Sequence, residues 1–146
     1  MRLSLAPLIL SAGMAVLGVL GPAAAQDDPF GFALKQVRAS NGAAALVLDP
    51  RLSQSAQAHA EDMARNAYFS HTGLDGSDLK SRARQAGCRG GAMAENIAYG
   101  QRTMQDAFSG WMDSGPHMAN MVGRSYRLYG LGQTQGIWVL VVSDGC

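Results

Sequence analysis

The stretch LDPRLSQSAQAHAEDMA, Leu48 to Ala64, decides how this chain folds. Asp49 is suited to cap a helix, and Pro50 suits the first helical position, where its fixed φ is already helical and its missing N–H is not needed. Leu52, Ala56, Ala60, Met63, Ala64 and Ala67 then recur at helical spacing and line one stripe. The pattern predicts an amphipathic helix from about Pro50 to Tyr68.

Working outward, Phe32, Leu34 and Val37 give helical spacing over Phe30 to Ser40, and Asn41-Gly42 is a stop pair. After the long helix comes FSHTGLDG, a loop rich in turn formers. Ser77 can cap a third helix running to about Ala86, with Gly87 ending it. CRGGAMAENIAYG, Cys88 to Gly100, is glycine-rich and then apolar, which predicts an extended segment. Thr103 and Asp106 resemble a capping box for a fourth helix that turns Phe108 and Trp111 inward. Gly115-Pro116 ends that helix, and His117 to Val122 forms one further turn. YRLYGLG and IWVLVVS read as two strands joined by the polar QTQG. Helices first and strands late predict an α+β domain in layers.

The N-terminal segment speaks of location. MRLSLAPLILSAGMAVLGVLGPAAAQ has one early cation, Arg2, an apolar run from Leu8 to Leu20, and small residues at Ala23 and Ala25. The expectation is a signal peptide, residues 1–25, cut after Ala25. The run falls short of the roughly 20 apolar residues that a membrane span needs. No cysteine follows the cut, so a lipid attached there is not expected, and the short apolar run predicts no stable membrane anchor. An exported protein, secreted or periplasmic, follows. Residues 26–146 then form one domain. Removing Arg2 from the 12 basic residues leaves them equal in number to the 11 acidic ones. That balance argues against a nucleic-acid partner or an anionic membrane surface. In an oxidising compartment the two cysteines, Cys88 and Cys146, are expected to form a structural disulfide. A reactive thiol is the alternative, although nothing beside Cys88 looks like an activating base.

Three ionisable residues sit beside element boundaries, where side chains converge. His71 follows the long helix, Glu95 stands alone in an apolar segment between Arg89 and Arg102, and His117 follows the fourth helix. A lone buried carboxylate needs a partner. Two imidazoles and a carboxylate can hold a divalent metal such as Zn²⁺, form a general acid–base set, or simply tie two loops together. Spacing does not choose among the three. His59 lacks a second histidine four residues on and is expected at the surface or its boundary. Asp75 and Asp78, flanking Gly76, suit turn and cap chemistry. Trp111 and Trp138 are expected as core anchors.

LDPRLSQSAQAHAEDMA, YFSHTGLDG, AENIAYG, WMDSGPH and YGLG, in that order, resemble the CAP superfamily. This is the cysteine-rich secretory protein, antigen 5 and pathogenesis-related 1 group, also called the SCP domain. The likeness is to its compact bacterial branch and spans nearly all of residues 26–146. It implies a three-layer α-β-α sandwich with a central antiparallel sheet and a surface cleft lined by two histidines and two glutamates, which in some members binds a divalent metal. By motif, His71, Glu95 and His117 match three of those four. The second family glutamate is Ser114 here, and Asp113 is one position off. The resemblance implies a cleft-based binding module for a lipid, a glycan or a protein. The alternatives are a metal-assisted hydrolase using the same residues, with the catalytic residue unknown, and a purely structural cluster.

Overall fold

The structure, a computed structural model, describes residues 28–146. The expected signal peptide therefore lies outside the described residues. The first helix, α1 (Pro29–Ser40), starts on Asp28, whose carboxylate accepts from the Gly31 N–H at 2.6 Å. A two-residue strand, β1 (Val47–Leu48), leads into α2 (Pro50–Arg65), and Asp49 caps it by accepting from the N–H groups of Arg51 and Leu52. α2 is shorter than its alanine pattern predicts. Asn66 ends it, and Ala67 turns to a φ of 51°, so Ala67 leaves the stripe. α3 (Leu79–Gln85) is capped by Asp78 rather than Ser77, because Asp78 and Ser81 exchange the two bonds of a capping box. The Thr103–Asp106 box opens α4 (Met104–Met112). The segment after Ser114 is a full helix, α5 (Gly115–Val122), with Pro116 in its first turn.

Three further strands, β2 (Met93–Tyr99), β3 (Leu128–Thr134) and β4 (Ile137–Ser143), complete a four-stranded sheet of order β1-β3-β4-β2. β3, β4 and β2 are antiparallel, and β1 adds a short parallel edge. β3 and β4 meet at Gln135-Gly136, both at positive φ, as a tight two-residue hairpin requires. β4 is buried along its whole length, so its alternation feeds two cores. Ile137, Val139 and Val141 join Leu52, Ala56, Ala60 and Met63 of α2. Trp138, Leu140 and Val142 join Phe30, Leu34, Phe108, Trp111 and Met121 on the α1, α4 and α5 side. Helices thus cover both faces of the sheet in an α-β-α sandwich.

The closeness of α2 to the sheet rests on two glycines. A Cβ at Gly130 would lie 2.2 Å from the backbone of Leu52 and Ser53, and one at Gly132 2.3 Å from the Gln57 nitrogen. Only a residue without a side chain lets the helix backbone rest directly on β3. Cys88 and Cys146 are joined in a disulfide with their Cα atoms 4.5 Å apart, tying the chain end to the segment before β2.

Candidate functional site

Glu95 sits in β2, opposite Val141 of β4, and faces the α2–α3 layer. Its side chain is only 4% exposed, and both carboxylate oxygens are engaged. The Arg82 guanidinium of α3 donates to Oε2 at 2.8 Å, and His71 Nδ1 lies 2.8 Å from Oε1. Arg82, 9% exposed in its side chain, also donates from a second nitrogen to the Ser77 carbonyl at 3.0 Å. One buried guanidinium therefore links the loop before α3 to the edge strand of the sheet. His71 itself is 57% exposed. Because a carboxylate can only accept, Nδ1 carries the proton it shares with Glu95. In the neutral ring Nε2 is then an acceptor, and no described residue bonds to it.

The loop that presents His71 is fixed from several sides. His59 Nε2 lies 2.9 Å from the Ser70 carbonyl and must donate to it. The Tyr68 hydroxyl donates to the Asp62 carboxylate, and burial together with that bond pushes the phenol up to about 12. Ser70 Oγ accepts from the Thr72 N–H at 3.0 Å. Asp75 accepts from the Ser77 N–H, and its bonds to Ser77 hold its carboxyl below the usual range. Phe69, two residues before His71 in the chain, and Tyr99 expose their rings as a pair with centroids 6.0 Å apart. Glu95 and Tyr99 are four residues apart on one strand and share a face. Beneath the pair lies a pocket of about 320 Å³ bordered by Met63, Tyr68 and Ile137.

His117 does not join the other two. Asn96, the next residue after Glu95, leaves the opposite face of β2 and donates to the His117 carbonyl at 3.0 Å. Asn120 donates to the Asn96 side-chain oxygen at 2.8 Å, so Asn96 holds the start of α5 against the far side of the strand. The His71–Glu95–His117 cluster expected from the motifs is therefore not formed. Among the described residues no group of three or more His, Cys, Asp and Glu side chains could hold a metal ion. The expectation of a zinc or other divalent-metal site is overturned for a physical reason. The carboxylate that would ligate the metal already has a guanidinium cation on one oxygen and an imidazole on the other. Asp113 caps the end of α4 and Ser114 the start of α5, and among the described residues neither belongs to a group that could hold a metal.

Two residues of the site escaped the sequence reading. Arg82 is the partner that Glu95 required, and it follows Leu79 by three residues and precedes Ala86 by four. That spacing marks the inward face of α3. His59 is 1% exposed, not a surface residue. It falls at helical spacing between Ser55, Ala56, Ala60 and Met63, the buried stripe of α2. Burial holds its imidazole below the ordinary histidine value of 6.5, with the Glu95 charge opposing that shift in part.

A three-layer sandwich with a carboxylate-anchored histidine at the edge of its sheet defines a cleft-bearing α-β-α domain. The signature of the cysteine-rich secretory protein family (CAP) matches residues 32–136, and the chain belongs to that family. It is 32% identical over 96 residues to an uncharacterized membrane protein of Bacillus subtilis, YlbC, covering 66% of this chain and 28% of that protein. A second B. subtilis relative, the uncharacterized protein YkwD, is 30% identical over 103 residues, covering 69% of this chain and 40% of YkwD. The chain thus spans well under half the length of these relatives. Among solved structures, an extracellular protein containing an SCP domain from Bacillus anthracis superposes with a TM-score of 0.76 at 23% identity, over 78% of this chain and 38% of that one. An outer surface protein from Borrelia burgdorferi superposes at 0.69 with 18% identity, over 79% and 89% of the two chains. These likenesses establish the fold. Among the described residues no helix is long and apolar enough to cross a membrane.

Proposed function

We propose that the chain is a binding module working outside the cytoplasm, secreted or periplasmic, that takes its ligand over the surface around His71. The observation that carries this reading is the contrast within one hydrogen-bonded chain. Arg82 and Glu95 are buried, yet they hold an exposed imidazole whose outer nitrogen is free to accept. A purely structural pair would be complete without His71. A disulfide supports an oxidising compartment. So does the likeness to the extracellular SCP-domain protein of B. anthracis.

The flanking chemistry favours a glycan. Exposed Phe69 and Tyr99 offer ring faces for the apolar faces of a sugar, and the outer nitrogen of His71 accepts from a hydroxyl. Titration of the protein with solubilised cell-wall glycan fragments, followed by calorimetry, tests this. The expected result is saturable binding that weakens at least about tenfold in His71→Ala and in Tyr99→Ala, while both variants stay folded. Equal binding by the wild type and both variants would refute the site, and binding only to lipid vesicles or to a peptide would refute the ligand class.

A further inference from the structure

A second cavity is bordered by Arg82. It occupies about 480 Å³ between α2, the loop leading to α3, and α3 itself, and its walls include Ser55, His59, Asp62, Asp75, Arg82 and Gln85. Among the described residues five buried side-chain polar atoms have no hydrogen-bond partner, and three of them belong to this wall: Ser55 Oγ, His59 Nδ1 and Arg82 Nε. All three side chains are more than nine-tenths buried. Buried polar atoms are nearly always satisfied, so three orphans on one cavity mark a place where something polar belongs.

Their chemistry specifies what that is. His59 Nε2 must donate to the Ser70 carbonyl, so Nδ1 of the neutral ring can only accept. Arg82 Nε–H can only donate, and Ser55 Oγ does either. A ligand must therefore donate at one point and accept at another, as hydroxyl groups do. Charge narrows the choice further. The Arg82 cation is already balanced by Glu95, and the rim carries the carboxylates of Asp62 and Asp75, so an anion is repelled. A cation would sit against the Arg82 guanidinium, and the rim carboxylates already accept hydrogen bonds, Asp62 from Tyr68 and Asn66 and Asp75 from Ser77.

We infer that this cavity is a binding site for a small neutral polyhydroxy compound, a cyclic polyol or sugar ring, held by Ser55, His59 and Arg82. The site does not depend on the reading of the His71 surface. It shares Arg82, which bonds Glu95 and borders the cavity, and His59, which bonds the Ser70 carbonyl of the loop that presents His71.

NMR titration of the disulfide-intact protein tests the inference, with the His59 ring and the Arg82 Nε–H as reporters. The probes are myo-inositol and D-glucose, with glucosamine and glucose 6-phosphate as charged counterparts. The expected result is a saturable shift of both reporters with a neutral probe, at least about fivefold weaker with either charged one. Ser55→Ala, a substitution that favours its helix, should weaken the neutral probe about fivefold, whereas His71→Ala should leave it unchanged. Absence of a saturable shift with the protein folded would mean that ordered water alone serves these atoms, and would overturn the inference. So would a preference for a charged probe, or undiminished binding by Ser55→Ala. A loss in His71→Ala equal to that in Ser55→Ala would assign the shifts to the cleft and overturn the second site.

Discussion

Replacing Glu95 separates the structural half of the cleft from its exposed half. In the wild type the carboxylate receives a guanidinium and an imidazole, each at 2.8 Å, with the ion pair almost fully out of solvent. Glu95→Ala would leave the Arg82 charge buried with only the Ser77 carbonyl as a partner, and stranding one half of a buried pair costs about 4 kcal/mol. Glu95→Gln keeps an acceptor for Arg82 and loses the charge. Since a charged hydrogen bond is about twice as strong as a neutral one, the cost should be about 2 kcal/mol. For a domain of this size 1 kcal/mol moves Tm by about 4 °C, so the two variants should melt about 15 °C and about 8 °C below wild type. Thermal unfolding by circular dichroism at neutral pH, with the disulfide intact, measures both. The double variant Arg82→Leu/Glu95→Leu should fall by less than Glu95→Ala alone, because no charge is left stranded. Melting of Glu95→Ala within about 2 °C of wild type would refute a buried pair. A double variant less stable than either single one would refute the stranded-charge argument.

Gly132→Ala should cost about 3 kcal/mol in urea unfolding, because its Cβ would press on the α2 backbone at a distance no rotamer can relieve. Cys88→Ser/Cys146→Ser should lose about 4 kcal/mol, the chain-entropy value for a separation of 58 residues, and wild-type stability under reducing conditions would contradict this. His59 holds its proton less readily folded than unfolded, so its contribution is complete above about pH 6.5 and lost as pH falls below that value. Stability should therefore drop between pH 7 and pH 5 by no more than about 1.4 kcal/mol per pH unit, the limit for one proton. His59→Gln should flatten that slope, and an unchanged slope would refute the assignment.

The elements that the sequence revealed are those governed by local rules. Asp49-Pro50, Thr103 with Asp106, and the apolar run IWVLVVS each act within a few residues, and each element forms where its signal stands. Ala67 departs from its pattern because Asn66 ends α2 one residue earlier, and an alanine stripe carries no information about where its helix stops. His59 was readable by position and misread by type. Its spacing marks the buried face, but an imidazole is commonly exposed. Arg82 was likewise legible as an inward position on α3, while the acid it serves lies 13 residues away on another layer.

The sequence by itself determined the family, the layer order, the caps of α2 and α4 and the residues available to the site. It showed that Glu95 needs a partner. Which partner was a tertiary decision, because successive residues of a strand leave opposite faces. That alternation sends Glu95 toward Arg82 and His71 and sends Asn96 toward α5, so His117 is held across the strand from the carboxylate its motif suggests. Motif order can bring three residues to the same strand, but only the packing of α3 and α5 against its two faces assigns them to different sides.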